Sequence, residues 1–152
     1  MERSLPITES LQDYLEVILS LSDDLAQPIR VTDIAAKLDI AKASVTQALG
    51  ILKKRGLIIQ DRYGPVELTE LGRKHALKIR YRHEILRCFL TDGLGVSDEI
   101  AEKDACLIEH DLSTETFERL LAFLEKAEFI QQQERKVFRK KIADILEEEE
   151  GT

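Results

Sequence analysis

Apolar residues recur with helical spacing along most of the chain. Leu11, Leu15, Ile18 and Leu19 form one stripe, led in by Thr8 or Ser10 as a cap, with Ser10 and Asp13 fitting a capping box. That helix is expected to run to about Leu21, before Ser22-Asp23-Asp24 and Pro28 interrupt the pattern. VTDIAAKL at 31–38 is a short amphipathic helix with Val31, Ile34, Ala35 and Leu38 inward. Asp39-Ile40-Ala41 makes a tight connection to a second helix, Lys42 to Arg55, with Val45, Leu49 and Leu52 inward and Gly56 as its stop. The period then changes. Leu57-Ile58-Ile59, a turn through Gly64-Pro65, and Val66, Leu68 and Thr69 read as a hairpin directly after the second helix. Two helices, a three-residue turn and a trailing hairpin spell a winged helix-turn-helix.

Thr69 caps a long helix whose apolar line is Ala76, Ile79, His83, Leu86 and Leu90, ending at Asp92-Gly93-Leu94-Gly95. One or two helices fall between Val96 and His110. Another follows Ser113, with Phe117, Leu120, Leu121 and Leu124 inward, and a last one is expected at roughly 136–148. The fold class is therefore all-α with a small β-wing: a winged helix-turn-helix over 1–72, then a linker helix and helical domain over 73–152. The second half has more apolar helix faces than it can cover alone, which predicts a homodimer.

At 152 residues the chain excludes a large multidomain enzyme. A hydrophobic fraction of 43% is that of an ordinary globular protein. No run is long enough to span a bilayer, the start MERSLPITES has no signal-peptide core, and two cysteines make no disulfide framework; a cytoplasmic address is expected. The net charge of −7 hides a division: residues 70–90 carry 6 basic and 2 acidic side chains, whereas 91–152 carry 8 and 17. Local potential, not the total, decides nucleic-acid binding.

Six side chains form a ligand-like group. Asp13 and Glu16 are three apart on one helix, and Cys106, Glu109 and His110 stand at i, i+3 and i+4 on another. His83 interrupts the apolar line of the long helix. Carboxylates and imidazoles suit Mn²⁺ and Fe²⁺, while a thiolate leans toward Fe²⁺, Co²⁺ or Zn²⁺. Each residue also has a plainer reading: solvated helix carboxylates for Asp13 and Glu16, a hydrogen-bonded core histidine for His83, and a small buried hydrophobe for Cys106. No phosphate loop and no nucleophile–base motif is visible, so an enzyme is not indicated.

With those residues in place, the chain resembles the metal-dependent repressors typified by the diphtheria toxin repressor, most closely the short manganese transport regulators. The likeness runs through DYLEVI at 13–18, VTDIAAKLDIAKASVTQALGILKKRGLI at 31–58, the wing ending VELTELG, YRHEILRCFL at 81–90 and CLIEHDLS at 106–113. The resemblance implies a dimer that binds palindromic operators on double-stranded DNA when loaded with Mn²⁺ or Fe²⁺ and represses metal-uptake genes. It implies ligands at Asp13, Glu16, His83, Cys106, Glu109 and His110, with Cys106 where the manganese branch has a glutamate. The iron branch has a cysteine there, but a methionine in place of Asp13, and its ancillary site is not reproduced: Arg87 and Glu102 replace a glutamate and a histidine. The chain is also too short for that branch's extra C-terminal domain.

On the second helix, Gln47 is expected to read adenine, with Thr46 beside it. Lys42, Ser44, Lys53 and Lys54 would touch phosphate, and Arg62 and Tyr63 at the wing tip would touch backbone or minor groove. The rival expectation is a metal-independent winged-helix regulator sensing a ligand or oxidation at Cys106.

Overall fold

The computed structural model describes residues 8–24 and 27–127. In chain order these form α1 (Glu9–Asp24), α2 (Val31–Leu38), α3 (Lys42–Lys54), β1 (Ile58–Ile59), β2 (Glu67–Leu68), α4 (Glu70–Cys88), a π-helical turn (Phe89–Gly93), α5 (Asp98–Glu109) and α6 (Thr114–Lys126). The chain divides into two compact units, Met1–Leu77 and Lys78–Thr152, with the division inside α4. The helix expected at 136–148 lies outside the described residues.

In the first unit, Thr8 is the cap: its Oγ1 accepts from the Leu11 amide at 3.3 Å. Ser10 is already inside the helix, and α1 continues one turn past the expected end at Leu21 because Ser20, Ser22 and Asp24 bond locally and keep the last turn closed. The inward stripe packs as the periodicity predicts, with Leu15, Ile18 and Leu19 fully buried against Ile34, Val45, Leu49 and Leu52. Each such side chain contributes about 1.5–3 kcal/mol by leaving water. The α2–α3 turn is set by Asp39, left-handed at φ 54°, whose neighbour Ile40 donates to the Ala35 carbonyl.

The wing pairs antiparallel, Ile58 with Leu68 and Ile59 with Glu67. Val66, immediately before β2, bridges to Ile29, its amide donating at 2.8 Å to the Ile29 carbonyl. The wing base is therefore tied to the segment between α1 and α2. Thr69 Oγ1 donates to the Gly56 carbonyl at 2.6 Å and accepts from the Gly72 amide at 3.0 Å. One hydroxyl thus joins the end of α3 to the start of α4. Close packing there requires a glycine: a Cβ at Gly72 would stand 1.8 Å from the Leu57 carbonyl oxygen.

In the second unit, Ile85 of α4 packs with Phe117 and Leu124 of α6, while Leu86 and Leu90 pack on Ala101 and Ala105 of α5. The helix does not stop cleanly at Cys88. Its last turn widens, with Leu94 donating to the Phe89 carbonyl and Val96 to that of Leu90. A single helix, α5, fills the span where one or two were expected. Ser113 caps α6 as expected, its hydroxyl accepting from the Thr116 amide at 3.2 Å.

Candidate metal centre and nucleic-acid interface

His83 enters the second unit from the inward line of α4 and meets one face of α5. Glu102, Cys106, Glu109 and His110 occupy positions i, i+4, i+7 and i+8, so their side chains share that face or its C-terminal end. The imidazole is buried and held from both sides. Its Nδ1 lies 2.9 Å from Glu109 Oε2, and its Nε2 lies 2.8 Å from Glu102 Oε1. Cys106 Sγ stands 3.7 Å from the same Nδ1. Hydrogen bonding to Glu109 outweighs desolvation and, with the charges of Glu109 and Glu102, raises the His83 pKa to about 9. Without metal, His83 is thus an imidazolium between two carboxylates.

Glu109 is the unusual member. Its side chain is 1% exposed, and while Oε2 holds His83, Oε1 is buried without a hydrogen bond; His110 Nε2 is 3.4 Å away, at ion-pair range only. A buried carboxylate oxygen left without a donor is costly, about 1–3 kcal/mol, and is satisfied by a cation. Carboxylate, imidazole and thiol donors suit a first-row divalent ion, and donor atoms of His83, Glu102 and Cys106 lie within 4.8 Å of one another. The residues fit such a group.

Of the six expected ligands, the second unit brings His83, Cys106, Glu109 and His110 together. Asp13 and Glu16 lie in the first unit, three residues apart on α1. His83 is indeed buried and hydrogen-bonded, as its plainer reading required, and it is also at the centre of the donor group. Cys106 is exposed, so it is no core hydrophobe. Glu102 was not among the expected ligands. Its position four residues before Cys106 was the available signal. Neighbouring Arg82 is partly desolvated, which lowers its pKa against the opposing pull of Glu109; it donates to the Leu112 carbonyl and lies over the Phe117 ring at 5.4 Å.

In the first unit, α3 buries Val45, Ala48, Leu49 and Leu52 and exposes Lys42, Ser44, Thr46, Gln47, Lys53 and Lys54. Thr46 Oγ1 donates to the Lys42 carbonyl at 3.0 Å, and Lys53 Nζ donates to the Gln60 carbonyl at 2.6 Å. Lys53 therefore braces the start of the wing. Arg62 lies over the ring of Tyr63, which is 89% exposed with φ 61°.

Residues 6–66 match the family described as iron dependent repressor, N-terminal DNA binding domain, and residues 69–136 match iron dependent repressor, metal binding and dimerisation domain. An uncharacterised HTH-type transcriptional regulator of Methanocaldococcus jannaschii is 36% identical over 79% of this chain and 96% of its own length. Transcriptional regulator MntR of Salmonella typhimurium is 38% identical over 78% of this chain and 74% of its own. Among solved structures, a manganese-dependent transcriptional repressor in complex with manganese superposes with a TM-score of 0.69 at 27% identity, covering 80% of this chain and 54% of that one. The chain spans about half the length of this structure and of the solved manganese regulators SloR and ScaR. Among the described residues no helix is long and apolar enough to cross a membrane. The chain belongs to the family of metal-dependent, winged-helix transcriptional regulators that includes the diphtheria toxin repressor and the manganese regulators, lies close to the manganese branch, and is a DNA-binding regulator and not an enzyme.

Proposed function

We propose that this protein is a repressor of Mn²⁺ or Fe²⁺ uptake genes that binds palindromic operators as a metal-loaded homodimer. The observation that carries the reading is Glu109: a buried carboxylate with one oxygen left without a hydrogen bond, beside His83, Cys106 and His110, in the region matched to metal binding and dimerisation. The proposed ligands are Asp13 and Glu16 from the winged-helix half, 1–72, with His83, Cys106, Glu109 and His110 from the half at 73–152. A bound divalent ion would supply the positive charge that cancels repulsion among these carboxylates. His83 and Cys106 would hold the ion in their deprotonated forms, and Glu109, which holds the His83 ring without metal, would stand beside them in the ligand set. Asp13 and Glu16 couple this event to α1 and so to the DNA-reading helix; the coupling is reciprocal, so DNA tightens metal binding as much as metal tightens DNA binding.

Dimerisation is supported by apolar side chains that the second unit leaves exposed, among them Ile100, Leu107 and Phe123. In the dimer the two copies of α3 would enter successive major grooves about 34 Å apart. Gln47 would read a base edge, while Lys42, Ser44 and Lys54 would hold phosphates and Thr46 line the same face. Lys53 would do so only by releasing Gln60. Arg62 and Tyr63 would reach the flanking backbone or minor groove. Fluorescence anisotropy of a native-promoter duplex, under anaerobic reducing conditions at buffered free Mn²⁺, Fe²⁺, Co²⁺ or Zn²⁺, tests the reading. Salt-sensitive binding only with metal is expected. Equal binding in chelator would overturn it in favour of a metal-independent regulator.

A further inference from the structure

Gly50 lies well inside α3 and is exposed. A glycine in a helix interior loses more backbone freedom on folding than any other residue, and alanine would serve the helix better. At Gly72 the fold requires the bare backbone, because the Leu57 carbonyl lies against it. Gly50 has no such reason. Its backbone is helical, and a Cβ there would meet no atom within 4 Å. Among the described residues nothing needs the space that Gly50 leaves open.

Its direction supplies a reason. Val45, Ala48, Leu49 and Leu52 define the buried face of α3. At about 100° per residue, Gly50 points almost opposite to that face, on the outward line of Ala43, Gln47 and Lys54. It follows Gln47 by about 4.5 Å along the axis, little more than one base step of about 3.4 Å.

We propose that Gly50 is the point of closest approach between α3 and duplex DNA, where bare backbone meets the floor of the major groove. The missing side chain lets the helix sit deeper. A methyl group at this position would hold the helix off, and the neighbouring contacts depend on depth: an amide–base hydrogen bond is lost once donor and acceptor part beyond about 3.2–3.5 Å. Lys54, on a long flexible stem, would keep its phosphate through such a shift. The inference rests on α3 as the helix that reads the groove and takes the size of its effect from Gln47, as proposed above; it involves no metal ligand.

The test begins with full-length wild type selecting its duplex from a random-sequence library, at buffered free Mn²⁺, Fe²⁺, Co²⁺ or Zn²⁺ or in chelator, whichever gives the tightest binding. Gly50→Ala and Gly50→Leu are then compared with it on that duplex by fluorescence anisotropy, with urea unfolding of the same proteins alongside. Gly50→Ala should raise the unfolding midpoint and yet weaken duplex binding at least about fivefold, the low end for one lost bidentate base contact. Gly50→Leu should weaken it further, and the salt slope of both should stay that of the wild type. A merely structural glycine would move stability and affinity in the same direction. Gly50→Ala binding as tightly as the wild type or tighter, or Gly50→Leu binding better than Gly50→Ala, would overturn the proposal. Gln47→Ala on the same duplex and wild type in chelator score the earlier reading separately. An indifferent Gln47→Ala removes Gln47 as the base reader, and metal-independent binding defeats the metal-loaded repressor; the Gly50 comparison stands in either case.

Discussion

Raising the pH should cost the metal-free protein stability at one identifiable place. His83 titrates at about 9 in the fold against 6.5 in a free imidazole, a difference worth about 3 kcal/mol at about 1.4 kcal/mol per tenfold change in acidity. The folded value is the higher one. The stabilisation is therefore complete below pH 6.5 and is lost as pH rises through about 9. Burial of His83 and of Glu109 keeps solvent from screening most of the interaction. Urea unfolding of the metal-free protein between pH 6 and 9.5, wild type against His83→Gln, isolates this residue because all other groups titrate in both. The wild-type advantage should shrink by about 3 kcal/mol across that range. The same proton must leave for His83 to bind metal, so log K for the proposed ligand set should rise by about one per pH step from His83 alone and by about two where Cys106 also loses a proton. Cys106→Ser should bring the slope from about two to about one. A wild-type advantage that is constant with pH, or a metal affinity without pH dependence, would refute the imidazolium between two carboxylates.

Three further outcomes follow from the first unit. Thr69→Ala removes the hydroxyl joining the Gly56 carbonyl to the Gly72 amide and should cost about 1–2 kcal/mol in urea unfolding; a loss under about 0.5 kcal/mol would show that water replaces it. Gly72→Ala should cost more than about 3 kcal/mol, since its methyl group meets a carbonyl and not a flexible side chain; a near-native midpoint would show that the α3–wing junction can open. On operator DNA, Lys54→Ala should lower the salt slope by about one with little change in sequence preference, whereas Gln47→Ala should relax preference at one base position; the opposite pattern would exchange their roles.

The helices were legible because each buries a stripe with a regular period. Val45, Leu49 and Leu52 could be assigned inward before any contact was known, and they are. Contacts without a period were not legible. The bridge from Val66 to Ile29 joins residues 37 positions apart, and the widened turn at Phe89–Gly93 leaves the apolar line of α4 undisturbed up to Leu90. At the metal centre, the spacing of Cys106, Glu109 and His110 announced a shared helix face, but the same rule applied one turn earlier reaches Glu102, and acidic residues are too common on such helices to stand out. His83 shows why single-residue readings fail: a core histidine and a ligand are the same side chain, separated only by what stands on its two nitrogens.

The contact between Gly72 and the Leu57 carbonyl has a genetic consequence. Every other amino acid carries a Cβ, so each missense change in that codon, whatever the base altered, places an atom inside the same 1.8 Å contact. The neighbouring exposed Leu71 and Arg73 carry no such restriction. In a saturation screen for loss of operator binding, codon 72 should yield defective clones from all its substitutions while the flanking codons yield few. Such a position works as a fuse in the gene: chemically silent, and intolerant of every alternative.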